Sequence, residues 1–256
     1  MSALPPQRPS VPEADVEAAT WNPLEVLVAV PVAWLAGGLA VLPLLPFVDP
    51  DPAGPIGGGG LLLGCVSNAV TIGLLVWWLR RTHPSWIRVI GWPVGSQALR
   101  EVAIGAGLGL LVRIASGFVA VVVVAALRGM SDRDVALPVQ IAPDLAWWGV
   151  LSFAVFALVA APALEELVFR GLLFRSVADR HGFWPGAVAS ALAFGAFHLL
   201  TRGSGLSVAA LGITHAFTGF GFVLVYTWRR NLLASIAAHA AFNAVAVVAI
   251  IAGWEV

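Results

Sequence analysis

Seven runs of about twenty apolar residues dominate the chain, near 24–48, 61–79, 102–127, 145–164, 184–200, 205–227 and 232–253. A helix needs about 20 such residues to cross the hydrocarbon of a bilayer. The pattern therefore predicts an all-α fold: a polytopic membrane helical bundle with about seven transmembrane helices. The run at 184–200 is the short one, expected to be tilted or only partly spanning. Composition agrees, with 59% hydrophobic and 11% charged residues, where a soluble domain carries about a quarter charged. The bilayer is the first partner implied.

Between the runs the chain divides into three parts. Residues 1–22 hold four Pro and mixed charge and lack the basic-then-apolar order of a cleavable signal; they are expected to form a disordered cytoplasmic tail. Residues 23–143 supply the first membrane helices, and residues 144–256 the rest. Two linkers, DPDPAGPIGGGG (49–60) and RGMSDRDVALPVQIAPD (128–144), are expected to be irregular. All fourteen basic residues are Arg. Arg80, Arg81, Arg88 and Arg100, then Arg175 and Arg180, then Arg229 and Arg230 fall in loops on one side, which the positive-inside rule makes cytoplasmic together with the N-terminus. The Ala-, Gly- and Val-rich, Lys-free composition suggests a bacterial plasma membrane. The formal net charge is zero and no basic cluster exceeds a pair, so no nucleic-acid partner is expected. The single Cys65 rules out a disulfide framework.

Against this background, APALEELVFRGLLF (161–174) stands out. An ionisable residue inside a membrane segment costs several kcal/mol and is a functional hypothesis by default. Residues four apart share a helix face, so Glu166 and Arg170 are expected to form an ion pair. Glu165 is rotated about 100° away, leaving its carboxylate free to face something else. Read structurally, the stretch is a Glu–Arg lock, which accounts for Glu166 and leaves Glu165 over. Pro162 cannot donate to the Leu158 carbonyl, so a kink or break is expected there.

Three of the five histidines also lie in apolar runs. His198, in AFGAFHLL, follows Phe194 by four residues, an aromatic able to wall a pocket. His239, in AAHAAFNAV, precedes Asn243 by one turn. His215, in GITHAFTG, has no polar partner at helical spacing except Thr218 and is read as structural. A free carboxylate, two imidazoles and an amide suit the activation of water and the stabilisation of an oxyanion. A carboxylate and two imidazoles are equally a ligand set for catalytic zinc.

The order EELVFRG (165–171), FGAFH (194–198), HAAFN (239–243) resembles the motifs EExxxR, FxxxH and HxxxN/D of the CPBP family of intramembrane proteases. That family includes the eukaryotic CAAX prenyl endopeptidase and bacterial Abi and bacteriocin-immunity proteins. The resemblance covers about 144 to 250. It implies an endopeptidase acting on a peptide or protein substrate, with Glu165 and His198 activating water, His239 and Asn243 stabilising the oxyanion, and Glu166, Arg170 and Phe194 organising the site. It fits a metal-free glutamate mechanism, or a zinc held by Glu165, His198 and His239. Asn243, a poor zinc ligand and a good oxyanion donor, favours the version without a cofactor. The competing readings are a non-catalytic immunity or scaffold protein and a proton-coupled transporter. Glu165 and His198 are expected to meet because the 163–180 segment continues as membrane-embedded helix.

Overall fold

The computed structural model describes residues 17–48, 57–130, 135, 146–200 and 205–252, and every regular element among them is helical. Helix α1 (Pro23–Ala40) starts on a capping box: Asn22 Oδ1 accepts from the Glu25 amide at 3.0 Å, and Glu25 accepts from the Asn22 amide at 2.9 Å. Helix α2 (Gly58–Thr82), the short α3 (Trp86–Val89) and the 33-residue α4 (Gln97–Gly129) follow. One helix then runs from Trp147 to His181. Within it, α5 (Trp147–Val155), α6 (Ala161–Glu166) and α7 (Arg175–His181) are joined by π-helical stretches at Phe156–Ala160 and Leu167–Phe174. Helices α8 (Phe183–Phe197), α9 (Gly205–Arg229) and α10 (Leu232–Ile251) complete the bundle.

Among the described residues, six helices are long and apolar enough to span a membrane, and α8 is a shorter apolar helix beside them. The expected count of about seven thus holds as six and a short one. The helix expected to end near 164 does continue, to His181. Pro162 does not break it. The preceding residues open into the π-helical turn Phe156–Ala160, whose wider i→i+5 spacing accommodates a ring and a missing N–H that an α-turn would not.

Two boundaries differ from the sequence reading. Gly58, Gly59 and Gly60, expected in an irregular linker, form the first turn of α2. A side chain on Gly58 would collide with the Gly149 backbone and the Trp148 ring, so the glycine lets α2 and α5 close together. Residues 17–22, assigned to the tail, lie against the bundle: Trp21 is fully buried, with its indole donating to the Leu172 carbonyl at 3.1 Å. The Ala19 amide donates to Asp179 at 2.7 Å. Residues 1–16, 49–56, 131–134 and 136–145, which hold the rest of the tail and linkers, are outside the described residues.

The Arg-bearing helix ends collect at this same end of the molecule. Arg229 makes two bonds to Glu101 at 2.9 and 2.7 Å, and Asn231 donates to the same carboxylate at 2.9 Å. Thr20 bonds His83 Nδ1 at 2.8 Å, and burial pushes the His83 pKa below its ordinary value against the opposing pull of Glu25. Along the seam between α4 and α10, Gly105 and Gly109 face the backbone of Ala234 and Ala238 so closely that a Cβ at either glycine would overlap a carbonyl oxygen. This contact sets the position of α10, which carries two of the site residues.

Candidate active site

The π-helical widening on either side of α6 brackets Glu165 and Glu166, and the two neighbours have opposite surroundings. Glu166 is fully buried and saturated. Its Oε1 accepts from Arg170 Nη1 at 2.9 Å and bonds His239 Nδ1 at 2.8 Å, while Oε2 accepts from Ser235 Oγ at 2.5 Å. Arg170, also fully buried, donates through Nη2 to the Gly219 carbonyl at 2.8 Å and lies over the Phe194 ring at 4.6 Å. The expected Glu166–Arg170 ion pair is present, as one part of a network that ties the long helix to α9 and α10. A buried charge pair holds only when its remaining hydrogen-bonding positions are satisfied, and Ser235, His239 and Gly219 supply most of these.

Glu165 points elsewhere, into a cavity of about 280 Å³ that His198, His215, His239 and Asn243 also line. Its Oε2 is buried without a hydrogen-bond partner among the described residues and lies 3.9 Å from His239 Nε2. All four residues expected to be catalytic therefore reach one cavity, with Phe194 in its wall.

Each histidine has its Nδ1 committed. His198 Nδ1 bonds the Phe194 carbonyl at 2.8 Å, His215 Nδ1 the Leu211 carbonyl at 2.9 Å, and His239 Nδ1 the Glu166 carboxylate. A carbonyl or carboxylate only accepts, so the proton sits on Nδ1, and in the neutral ring Nε2 is left as the acceptor. Asn243 donates one N–H to the Ala157 carbonyl at 2.8 Å, in the π-helical turn before Pro162. The second N–H of that amide is left for a ligand.

Three contributions were missed in the sequence. His215, read as structural, lines the cavity, and its ring stacks on that of His198 at 3.9 Å between centroids. Its partner proved to be another histidine on a different helix, which spacing along α9 cannot show. Ser235 lies four residues before His239, the helical spacing that could have marked it. Arg113, in the middle of α4, places its guanidinium 5.1 Å from the Phe242 ring, itself part of the cavity wall. An arginine in the middle of an apolar run was the available signal.

The zinc alternative would draw on Glu165, His198 and His239. Among the described residues no three His, Cys, Asp or Glu side chains are gathered as a metal would require. Glu165, His198 and His239 share the cavity, and the bond from His239 Nδ1 to Glu166 leaves its Nε2 facing it.

Comparison with known proteins bears on the C-terminal part of the chain. No curated protein and no solved structure matches it. Residues 147–245 match the family model described as Type II CAAX prenyl endopeptidase Rce1-like, a segment that starts at Trp147 of α5 and runs past Asn243. Motifs and family model agree: over residues 147–245 this integral membrane protein matches the Rce1-like type II CAAX prenyl endopeptidases, a family of intramembrane endopeptidases.

Proposed function

We propose that the protein hydrolyses a peptide bond inside the membrane with Glu165 as the general base and no metal. The observation that carries this reading is the division of labour between adjacent carboxylates: Glu166 is saturated by Arg170, Ser235 and His239, while Glu165 Oε2 lies buried in the cavity with no hydrogen-bond partner among the described residues. Glu165 takes a proton from water, and the resulting hydroxide attacks the carbonyl carbon of the scissile bond. His198 Nε2 accepts the other water hydrogen and aims the oxygen. The free N–H of Asn243 donates to the oxyanion; His239 joins it through Nε2 when the ring carries both protons. Collapse of the tetrahedral intermediate breaks the C–N bond, and the leaving amine takes the proton held by Glu165. Site groups fixed in advance, where charge develops, are the usual main source of such rate enhancement.

The substrate is a peptide or protein segment that reaches a membrane-embedded cavity. The collection of Arg-rich helix ends at one pole supports a cytoplasmic placement of that pole and of the N-terminus, in a bacterial plasma membrane. The test is a Glu165→Gln trap. Native membranes containing the variant are solubilised, co-purified proteins are identified, and each is offered to purified wild-type protein in liposomes. Wild type is expected to cleave a protein that the variant retains intact. Cleavage by Glu165→Gln at the wild-type rate would refute Glu165 as the base, and failure of wild type to cleave any retained protein would leave the scaffold reading in its place.

A further inference from the structure

Away from the Glu165 cavity, and sharing no lining residue with it, two further cavities adjoin on the outer side of α9. One is an apolar groove of about 740 Å³ against α4, walled by Leu108, Leu111, Val112, Phe217, Leu224 and Trp228. The other, about 270 Å³, is polar and includes Arg175, Asp179, Tyr226 and Arg230. Both are bounded by Phe183 and Thr227, so the groove opens into the polar pocket. From Phe217 to Trp228 the groove follows α9 for about 16 Å at the rise of an α-helix.

The depth of the two cavities follows from their neighbours. Trp184 and Trp228 flank the junction and are 67% and 64% exposed. Exposed tryptophans on membrane helices sit at the headgroup level. The polar pocket therefore lies among headgroups, at the Arg-rich end, and the groove lies along the acyl chains.

The polar pocket has an unused donor. Tyr226 is 2% exposed, and its hydroxyl lies beside the Arg175 guanidinium with no acceptor for its own proton among the described residues. Arg175 is held in place through Nη2, which pairs with Asp179 at 3.0 Å and donates to the Glu17 carbonyl at 2.5 Å. Arg230 ends α9 in the left-handed region, at φ 54°, with its amide donating to the Tyr226 carbonyl at 2.7 Å. Asp179 offsets one of the two arginines, so the pocket keeps a surplus positive charge. A buried donor without an acceptor is costly, and a phosphate supplies acceptor oxygens and the matching charge.

We propose that this composite site binds one anionic phospholipid, its phosphate held by Tyr226, Arg175 and Arg230 and an acyl chain laid in the groove beside α4. The site is independent of the hydrolytic reaction.

The test uses the purified full-length protein in detergent, titrated with phosphatidylglycerol or with phosphatidylcholine of the same acyl chains and followed by native mass spectrometry. Phosphatidylglycerol is expected to bind one per chain, at least about tenfold tighter than phosphatidylcholine. An arginine near the headgroups is worth about 1 kcal/mol, roughly fivefold in affinity, so Arg230→Gln and Tyr226→Phe should each weaken phosphatidylglycerol by about five- to tenfold. Arg230 is exposed and Tyr226→Phe removes only a hydroxyl, so both variants should fold. Leu224→Trp, which fills the groove, should reduce binding of both lipids. Glycerol 3-phosphate alone should bind far more weakly than the lipid. Equal binding of the two lipids, wild-type affinity in both Arg230→Gln and Tyr226→Phe, or glycerol 3-phosphate binding as tightly as phosphatidylglycerol would each overturn the assignment.

Discussion

Glu166 Oε1 lies 2.8 Å from His239 Nδ1, with both residues buried. This one bond joins the first sequence motif to the third. It places the proton of the neutral His239 ring on Nδ1 and turns Nε2 toward Glu165, 3.9 Å away. Glu166 thus acts on the candidate reaction through an imidazole as well as through Arg170.

Removing Arg170 should be a folding defect. The pair is fully buried, and breaking a buried pair by deleting one partner typically costs about 3–5 kcal/mol. Arg170→Ala is expected to be scarce in membranes and to melt early, as immunoblots and thermal unfolding in detergent would show. Wild-type abundance and melting would contradict the buried-network account.

Asn243→Ala should behave in the opposite way. Loss of an oxyanion donor typically lowers turnover by roughly 10²–10³-fold, whereas the one bond lost, to the Ala157 carbonyl, is worth about 1 kcal/mol. The expected outcome is a large fall in kcat with KM and abundance near wild type, measured on a peptide cleaved by the wild-type protein. A rise in KM at unchanged kcat would make Asn243 a binding group instead.

Chelation separates the two mechanisms. With Glu165 as base, activity should survive exhaustive treatment with a zinc chelator, and elemental analysis should find no stoichiometric metal. A protein carrying one zinc per chain, inactive without it and restored by it, would reject the metal-free mechanism and leave the site residues standing.

Stability should fall on mild acidification. Burial holds the His83 pKa below 6.5 in the folded protein. As the pH drops below about 6.5, the unfolded chain therefore binds the proton more readily than the folded one, and the equilibrium moves toward unfolding. The melting temperature in detergent is expected to be lower at pH 5.5 than at pH 7.5, with a smaller difference in His83→Asn. An unchanged difference in that variant would assign the effect to other groups.

The helices were legible because lipid demands long apolar runs, and runs of that length leave few alternatives. Glu166 and Arg170 could be paired from spacing alone, since partners on one helix obey its period. His215 and His198 could not, because their stack is made between α9 and the end of α8. The Pro162 region was legible only in part, for a similar reason. A missing N–H announces a disturbance, but whether the helix kinks or widens depends on what packs around it, and here the Ala157 carbonyl in the widened turn is taken by Asn243. Trp21 shows the limit of composition: a proline-rich, polar stretch reads as tail until a single indole finds the Leu172 carbonyl.

The glycine seam between α4 and α10 also bears on traffic. At Gly105 and Gly109 the two helices are in backbone contact, directly beside the turn of α10 that carries His239. A peptide needs a doorway through the ring of helices to reach Glu165, and these two helices cannot part there without giving up the contact that positions His239. Entry and exit of a substrate are therefore expected at another seam, with α4 and α10 as its fixed side.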